Sequence, residues 1–194
     1  IYLEIDATRG RPKFEKLWTF TGREYLREPI DLIEDPDRLY LTFCAAKGNA
    51  KTLRDYGVFL HEMYHNPFSG IYSMTAQTGS GSSSDIAREL ISILKASPVF
   101  ADRLPHGIAA KTGLTTQRIE FGGNNIAFIG GSSIGKAEGK RCRIIAVGEM
   151  DIQKENFQNN TAGLDYRLAD RTRGVPNSLI MRGSSPSVEG VGIW

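Results

Sequence analysis

The chain has 194 residues, 40% hydrophobic and 24% charged, with 24 lysines and arginines against 22 acids. These values suit one globular domain with its own core, and a net charge of +2 does not by itself point to nucleic acid. Two cysteines, Cys44 and Cys142, exclude a disulfide scaffold, and no apolar run approaches the roughly 20 residues that cross a bilayer.

Both cysteines adjoin apolar runs and read as buried free thiols in a reducing compartment. No secretory signal is visible. The chain starts at Ile1 without Met and ends at Trp194 after a strand-like run, so it reads as a piece of something longer.

Residues 1–22 are polar, with Gly10 and Pro12, and read as an irregular N-terminal arm. Residues 23–194 read as the main domain. It opens on "REYLREPIDLIEDPD", a short amphipathic helix pattern broken at Pro29. "RLYLTF", Arg38 to Phe43, is an apolar run that ends in small residues and predicts a buried strand. "KTLRDYGVFLHEMYH" then carries Leu53, Tyr56, Leu60, Met63 and Tyr64 at helical spacing, and "NPFSG" ends that helix.

"GIYSMTA" predicts a second strand. "SSSDIARELISILKAS" predicts a capped helix with Ile86, Leu90, Ile93 and Leu94 on one face. "TTQRIEFGGNNIAFIGG" is two alternating runs joined at a Gly-Gly-Asn-Asn turn, a hairpin signal. "RCRIIAVGEMD" predicts a further buried strand ending in acids. "TAGLDYRLADRTRG" predicts a helix, and "NSLIMRGSSP" a strand ending in hydroxyl residues. Strands alternating with helices predict an α/β fold: a mostly parallel central sheet flanked by helices, plus the hairpin.

In such sheets ligands bind beyond the carboxyl ends of the strands. Three of those ends carry suggestive residues: "CAAKGNAKT", "AVGEMD" and "RGSSP". The first lies on the phosphate-loop template G-x-x-x-x-G-K-[ST], with Ala45 and Ala50 at its two glycine positions and Lys51 and Thr52 at its end. The loop Ala45, Ala46, Lys47, Gly48, Asn49, Ala50 would turn its N–H groups toward phosphate, with Lys51 supplying charge and Thr52 a hydroxyl for Mg²⁺. The plain alternative is a strand–turn–helix with a surface lysine.

Two rival motifs stand beside it. "TAQTGSGSSSD", Thr75 to Asp85, is richer in glycine but has Ser82 where the lysine belongs, which favours a capped strand–helix connection. "HEMYH", His61 to His65, fits the H-E-x-x-H zinc-protease motif with Glu62 as base, and needs a third ligand. Histidines at a helix C-terminus are also favoured by the dipole alone.

"RIIAVGEMD" resembles a Walker B strand. Gly148 holds its first acid position, Glu149 its second, and Asp151 follows. Alone it reads as a strand ending in a polar turn. The order Lys51–Thr52, then Glu149, then Ser184–Ser185 matches a phosphate-loop ATPase with a catalytic glutamate. In that class a strand lies between the loop strand and the Walker B strand, and "RGSSP" would supply it.

From about Tyr25 to Trp194 the sequence resembles the ATPase domain of phage large terminases, the DNA-packaging motors. "CAAKGNAKT" is similar to the family's glycine-poor Walker A variants, and Lys47 falls where many members carry an arginine at the γ-phosphate. "GIYSMTA" with "DIARELISILKASPVF" is similar to its second βα unit. The stretch from "IEFGGNNIAFIGG" to "GEMD" resembles its hairpin, glycine-bearing loop and Walker B strand. "LIMRGSSPSVEG" resembles its coupling motif. The sequence departs from the family at Leu26, where a glutamine near adenine is usual, and at Gly148, where the Mg²⁺-organising aspartate is usual.

The resemblance implies an ATP hydrolase that binds ATP and Mg²⁺ and drives double-stranded DNA into a procapsid. It implies Glu149 and Lys47 as catalytic residues, residues 45–52 around the phosphates, Thr52 and Asp151 toward the metal, and Ser184 and Ser185 in coupling. It implies a homo-oligomeric ring, with portal protein, small terminase subunit and DNA as partners, and no membrane. The place of action would be the host cytoplasm, at the procapsid portal, and not the mature virion. The family's C-terminal nuclease region has no counterpart in these residues, so DNA cleavage is not expected of them. A nucleotide-binding, non-hydrolysing assembly subunit is the alternative. Lys136, Lys140, Arg141 and Arg143 form the densest basic cluster and read as a solvated loop.

Overall fold

Apolar runs too short for helices sit between longer amphipathic stretches, and this spacing builds the sheet. The computed structural model describes residues 5–6, 11–12, 24–32, 35, 39–45, 51–66, 70–75, 83–130, 141–149 and 161–185. Its strands are β1 (Ile5–Asp6), β2 (Arg11–Pro12), β3 (Tyr40–Cys44), β4 (Gly70–Thr75), β5 (Arg118–Phe121), β6 (Asn124–Gly130), β7 (Ile144–Gly148) and β8 (Leu179–Ser184). Its helices are α1 (Arg27–Asp31), α2 (Lys51–His65), α3 (Ser83–Ala96), α4 (Pro98–Ala101), α5 (Gly107–Gly113) and α6 (Thr161–Thr172).

Six strands form one sheet in the order β3-β8-β7-β4-β6-β5. Every neighbouring pair is parallel except β5 with β6. The α/β architecture expected from the alternation is therefore present, with the hairpin at one edge.

The two faces of the sheet follow from side-chain alternation. Ile144, Ala146, Leu179 and Met181 pack on one face with Tyr56, Phe59, Leu60 and Met63 of α2 and Leu90, Ile93 and Leu94 of α3. Ile145, Val147 and Ile180 pack on the other face with Leu168 of α6. Continuous apolar runs are what strands covered on both faces require. Truncating Leu90 or Ile145 to alanine would cost about 2–5 kcal/mol, because both side chains are fully buried.

Four local expectations change. Pro29 does not break its helix; it lies in the first turn of α1, where its missing N–H has no intrahelical partner to lose. Among the described residues β3, expected to be buried, is outermost in the sheet, beside β8 alone. Its Leu41 is buried while Tyr40 and Thr42 are exposed, the alternation of a strand with one face toward solvent. The hairpin turns on Gly122 and Gly123 only, with φ of 54° and 85°; Asn124 and Asn125 pair inside the ladder, opposite Phe121 and Glu120. Two consecutive positive φ angles suit two glycines better than any asparagine. Within the stretch expected to be irregular, β1 and β2 form a two-residue antiparallel ladder.

Candidate functional site

Parallel pairing brings the carboxyl ends of β3, β8 and β7 together. Cys44 lies opposite Ser184, and Val147 opposite Arg182, so β8 stands between the loop strand and the Glu149 strand, as the motif order requires. The Ala45 N–H continues the β3–β8 ladder by donating to the Ser184 carbonyl at 3.2 Å.

Lys51 opens α2 just beyond β3. Its Nζ donates to the Ala45 carbonyl at 3.0 Å and to Ser185 Oγ at 2.7 Å. One ammonium thus ties together the ends of two strands that are far apart in sequence. A cavity of about 80 Å³ opens beside it. Lys51, Thr52, Asp55, Ser73 and Glu149 supply its polar wall, with Gly148 and Gly183 at the strand ends and Tyr56, Phe59, Ile86 and Ala146 as its apolar part. Lys51, Thr52 and Glu149, singled out from distant motifs, therefore face one space.

Glu149 has φ of 51°. A non-glycine residue in the left-handed region costs on the order of 1 kcal/mol, and residues held there cluster at functional sites. Ser184 is fully buried at the end of β8, and Ser185 follows it half-buried.

Asp55 was missed by sequence reasoning. Its signal was position: three residues after Thr52, it shares that residue's helix face. Arg54 beside it is buried to 1% exposure. Arg54 donates to Asp55 Oδ1 through Nε at 3.0 Å and Nη2 at 2.6 Å, and its guanidinium lies 4.8 Å from the Phe43 ring centroid. Burial pushes the Asp55 carboxyl above its usual range, against the pull of Arg54 and then Lys51. The Tyr56 hydroxyl donates to Glu89 Oε2 at 2.7 Å and links α2 to α3. Burial, and then the Glu89 charge, push that hydroxyl's pKa upward.

The "HEMYH" motif falls at the opposite end of α2, and it does not converge on a site. Glu62 is buried and its Oε1 lies 2.9 Å from Arg143 Nε, with 4% and 26% of the two side chains exposed. The Nε–H is not aimed along that line, so the contact is an ion pair without an aligned hydrogen bond. Asn66 Nδ2 donates to Glu62 Oε2 at 3.2 Å. His61 and His65 are exposed, with ring centroids 4.4 Å apart. Among the described residues no three His, Cys, Asp or Glu side chains are placed to hold a metal. Arg143, counted above in a solvated basic cluster, is instead committed to Glu62.

Ala46, Lys47, Gly48, Asn49, Ala50 and Asp151 lie outside the described residues, as do Lys136, Lys140 and most of "TAQTGSGSSSD". Among the described residues no helix is long and apolar enough to cross a membrane.

Residues 15–194 match the family model described as phage terminase large subunit gpA, ATPase domain. No curated protein sequence is significantly similar to the chain. Among solved structures, the fold is similar to the large terminase of bacteriophage HK97, at 12% identity and a TM-score of 0.57, over 94% of this chain and 35% of that one. It is also similar to the large terminase ATPase domain of Thermus phage P74-26, at 7% identity and 0.55, over 82% of this chain and 64% of that one. The large terminase of the thermophilic bacteriophage D6E follows at 14% identity and 0.51, over 83% and 38%. At these identities the likeness to each structure is one of fold.

Proposed function

This chain belongs to the phage terminase large subunit gpA family, as its ATPase domain, and from that premise we propose that it hydrolyses ATP to drive double-stranded DNA into a procapsid. The observation that carries the reading is the meeting of Lys51, Thr52 and Glu149 on one cavity at the carboxyl edge of the sheet.

Lys51 would hold the β- and γ-phosphates; its Nζ already spans two oxygen acceptors, Ala45 O and Ser185 Oγ, that phosphate oxygens would replace or join. Glu149 would orient the attacking water, its side chain aimed by the left-handed backbone. The loop residues 45–50, with Lys47 in the charge-stabilising role, would complete the phosphate cradle. Ser185, bonded to Lys51, makes β8 the natural route by which loss of the γ-phosphate reaches the rest of the domain. Ser184 would anchor that route from its buried place at the strand end.

Among the described residues the donors around the cavity suit Mg²⁺: hydroxyls and carboxylates, hard oxygens with no imidazole or thiol among them. When bound, Mg²⁺ neutralises charge on the phosphate oxygens. Thr52 would contribute a ligand, and Asp151 would reach the ion through water.

The wider role places a ring of these subunits at the procapsid portal in the host cytoplasm, with the portal protein, the small terminase subunit and DNA as partners. Family membership supports this role. Gly148, in place of an acid, favours a second reading: nucleotide binding with slow or no turnover. Titrating a fluorescent ATP analogue, and measuring phosphate release with and without DNA, tests both readings. Saturable binding lost in Lys51→Ala, with turnover lost in Glu149→Ala, is the expected result. Binding without phosphate release selects the second reading, and no binding at all refutes both.

A further inference from the structure

The cavity lacks the one acid that its chemistry asks for, at Gly148. Strand alternation says where that acid would have pointed. Ile144 and Ala146 face α2 in the core, and Ala146 lines the cavity, so a side chain at position 148 would fall on the same side, toward α2. The helix that faces this room carries Asp55, which lines the same cavity. Glycine also holds the neighbouring strand end, at Gly183, where a Cβ would meet Arg54 Nη2 at 3.7 Å and Lys51 Cδ at 3.9 Å. Glycine at both strand ends leaves the space to polar side chains of α2.

We propose that Asp55 takes over the task of the missing strand-end aspartate and, one helical turn from Thr52, anchors the divalent cation that accompanies the nucleotide. The inference rests on the nucleotide reading above.

The carboxylate is set up for such a task. Arg54 binds Oδ1 by two donors and fixes the group's orientation. Oδ2 accepts no hydrogen bond among the described residues and is not sealed from the cavity. Mg²⁺ beside a nucleotide is held by one or two carboxylates together with phosphate oxygens and water, so one aspartate and one threonine hydroxyl are enough protein ligands. The plain role of Asp55, as counter-ion to the buried Arg54, accounts for Oδ1 and leaves Oδ2 unexplained.

The test reads metal binding directly. Mn²⁺ is titrated into the chain with an ATP analogue carrying a non-hydrolysable β–γ bridge and followed by electron paramagnetic resonance. Analogue affinity is measured separately in EDTA. Asp55→Asn is expected to weaken Mn²⁺ binding at least about 10-fold while metal-free analogue affinity holds. Gly148→Asp added to Asp55→Asn is expected to restore Mn²⁺ binding. Its backbone permits it, since Gly148 is not among the residues with positive φ. If Asp55→Asn does not fold, Asp55→Glu keeps the charge for Arg54, moves the oxygens by one methylene, and is expected to shift the Mn²⁺ affinity.

Unchanged Mn²⁺ affinity in the Asp55 variants overturns the proposal. So does a loss found in Asp151→Asn and not in Asp55→Asn. An unaltered chain that binds no analogue even in EDTA overturns the nucleotide reading itself, which is a different result from a metal effect alone.

Discussion

Helix α2 carries two motifs, one at each end, and the ends differ in what the sheet brings to them. At its first turn Lys51, Thr52 and Asp55 meet Ser185 and Glu149 from two other strand ends. At its last turn Glu62 meets Arg143, which sits just before β7 and whose own N–H donates to the Gly70 carbonyl at 2.8 Å. The first end faces the carboxyl edge of the sheet, and the last end faces the amino edge. Parallel strands leave loop-borne polar groups converging at the carboxyl edge, and there a lysine finds partners for chemistry. At the amino edge a half-buried arginine needs a counter-charge, and the glutamate of "HEMYH" supplies it. The same five-residue pattern that spells a zinc site elsewhere here spells an ion pair beneath two exposed imidazoles.

That contrast breaks most visibly at Glu149. Glu149→Gln keeps the size and removes the charge, so turnover should fall by about 10²–10⁴-fold with nucleotide still bound, as steady-state phosphate release and equilibrium titration would show. Lys51→Ala comes next. It should lower kcat/KM at least about 100-fold, with binding itself weakened, because in the proposed role the lysine would serve ground state and transition state together. An effect of either size from Glu62→Gln would sink the assignment of the two ends.

At the amino edge the expected loss is of stability. Glu62→Ala strands Arg143, and chemical denaturation should show a loss of about 2–3 kcal/mol, below the full cost of a buried pair because Arg143 is partly exposed.

The cysteines sharpen the comparison further. Cys44 ends β3 at the carboxyl edge and is partly exposed, whereas Cys142 precedes β7 and is buried. Burial pushes the Cys142 thiol from its ordinary 9.0 up to about 11, with Arg171 pulling the other way. A raised value means that the thiol form is favoured in the fold. That stability is present in full below about pH 9 and is lost as pH climbs through 11. At pH 8 iodoacetamide should modify Cys44 first, with Cys142 reacting more slowly by orders of magnitude, as mass spectrometry of the folded chain would resolve. Equal labelling would contradict the packing of β7. The smallest effect belongs to His61→Ala, expected within about 0.5 kcal/mol of the parent and without loss of any zinc on metal analysis.

Local features of the fold are legible in the sequence. The 3.6-residue period marked α2 and α3, apolar runs marked β7 and β8, and two glycines marked the hairpin, because these depend on neighbours within a few residues. Lys51, Thr52 and Glu149 were legible as neighbours on one cavity because each stands at or just beyond a strand end, where side-chain type and position can be read together. The zinc reading of His61 and His65 gains no third ligand among the described residues, and its Glu62 is paired instead with Arg143, some eighty positions away, which no local pattern connects to it.

The sequence by itself determined the main alternation of strands and helices, the apolar spacing of α2 and α3, and the motif order that resembles the family. Local sterics and hydrophobic periodicity suffice for that. Only the tertiary structure decided that β3 is outermost among the described strands, that Lys51 spans Ala45 and Ser185, and that Asp55 lines the same cavity as Gly148. These depend on strand order and on which helix covers which face, and both are fixed by burial summed over the whole chain. "CAAKGNAKT" gave the lysine; the sheet gave it a partner.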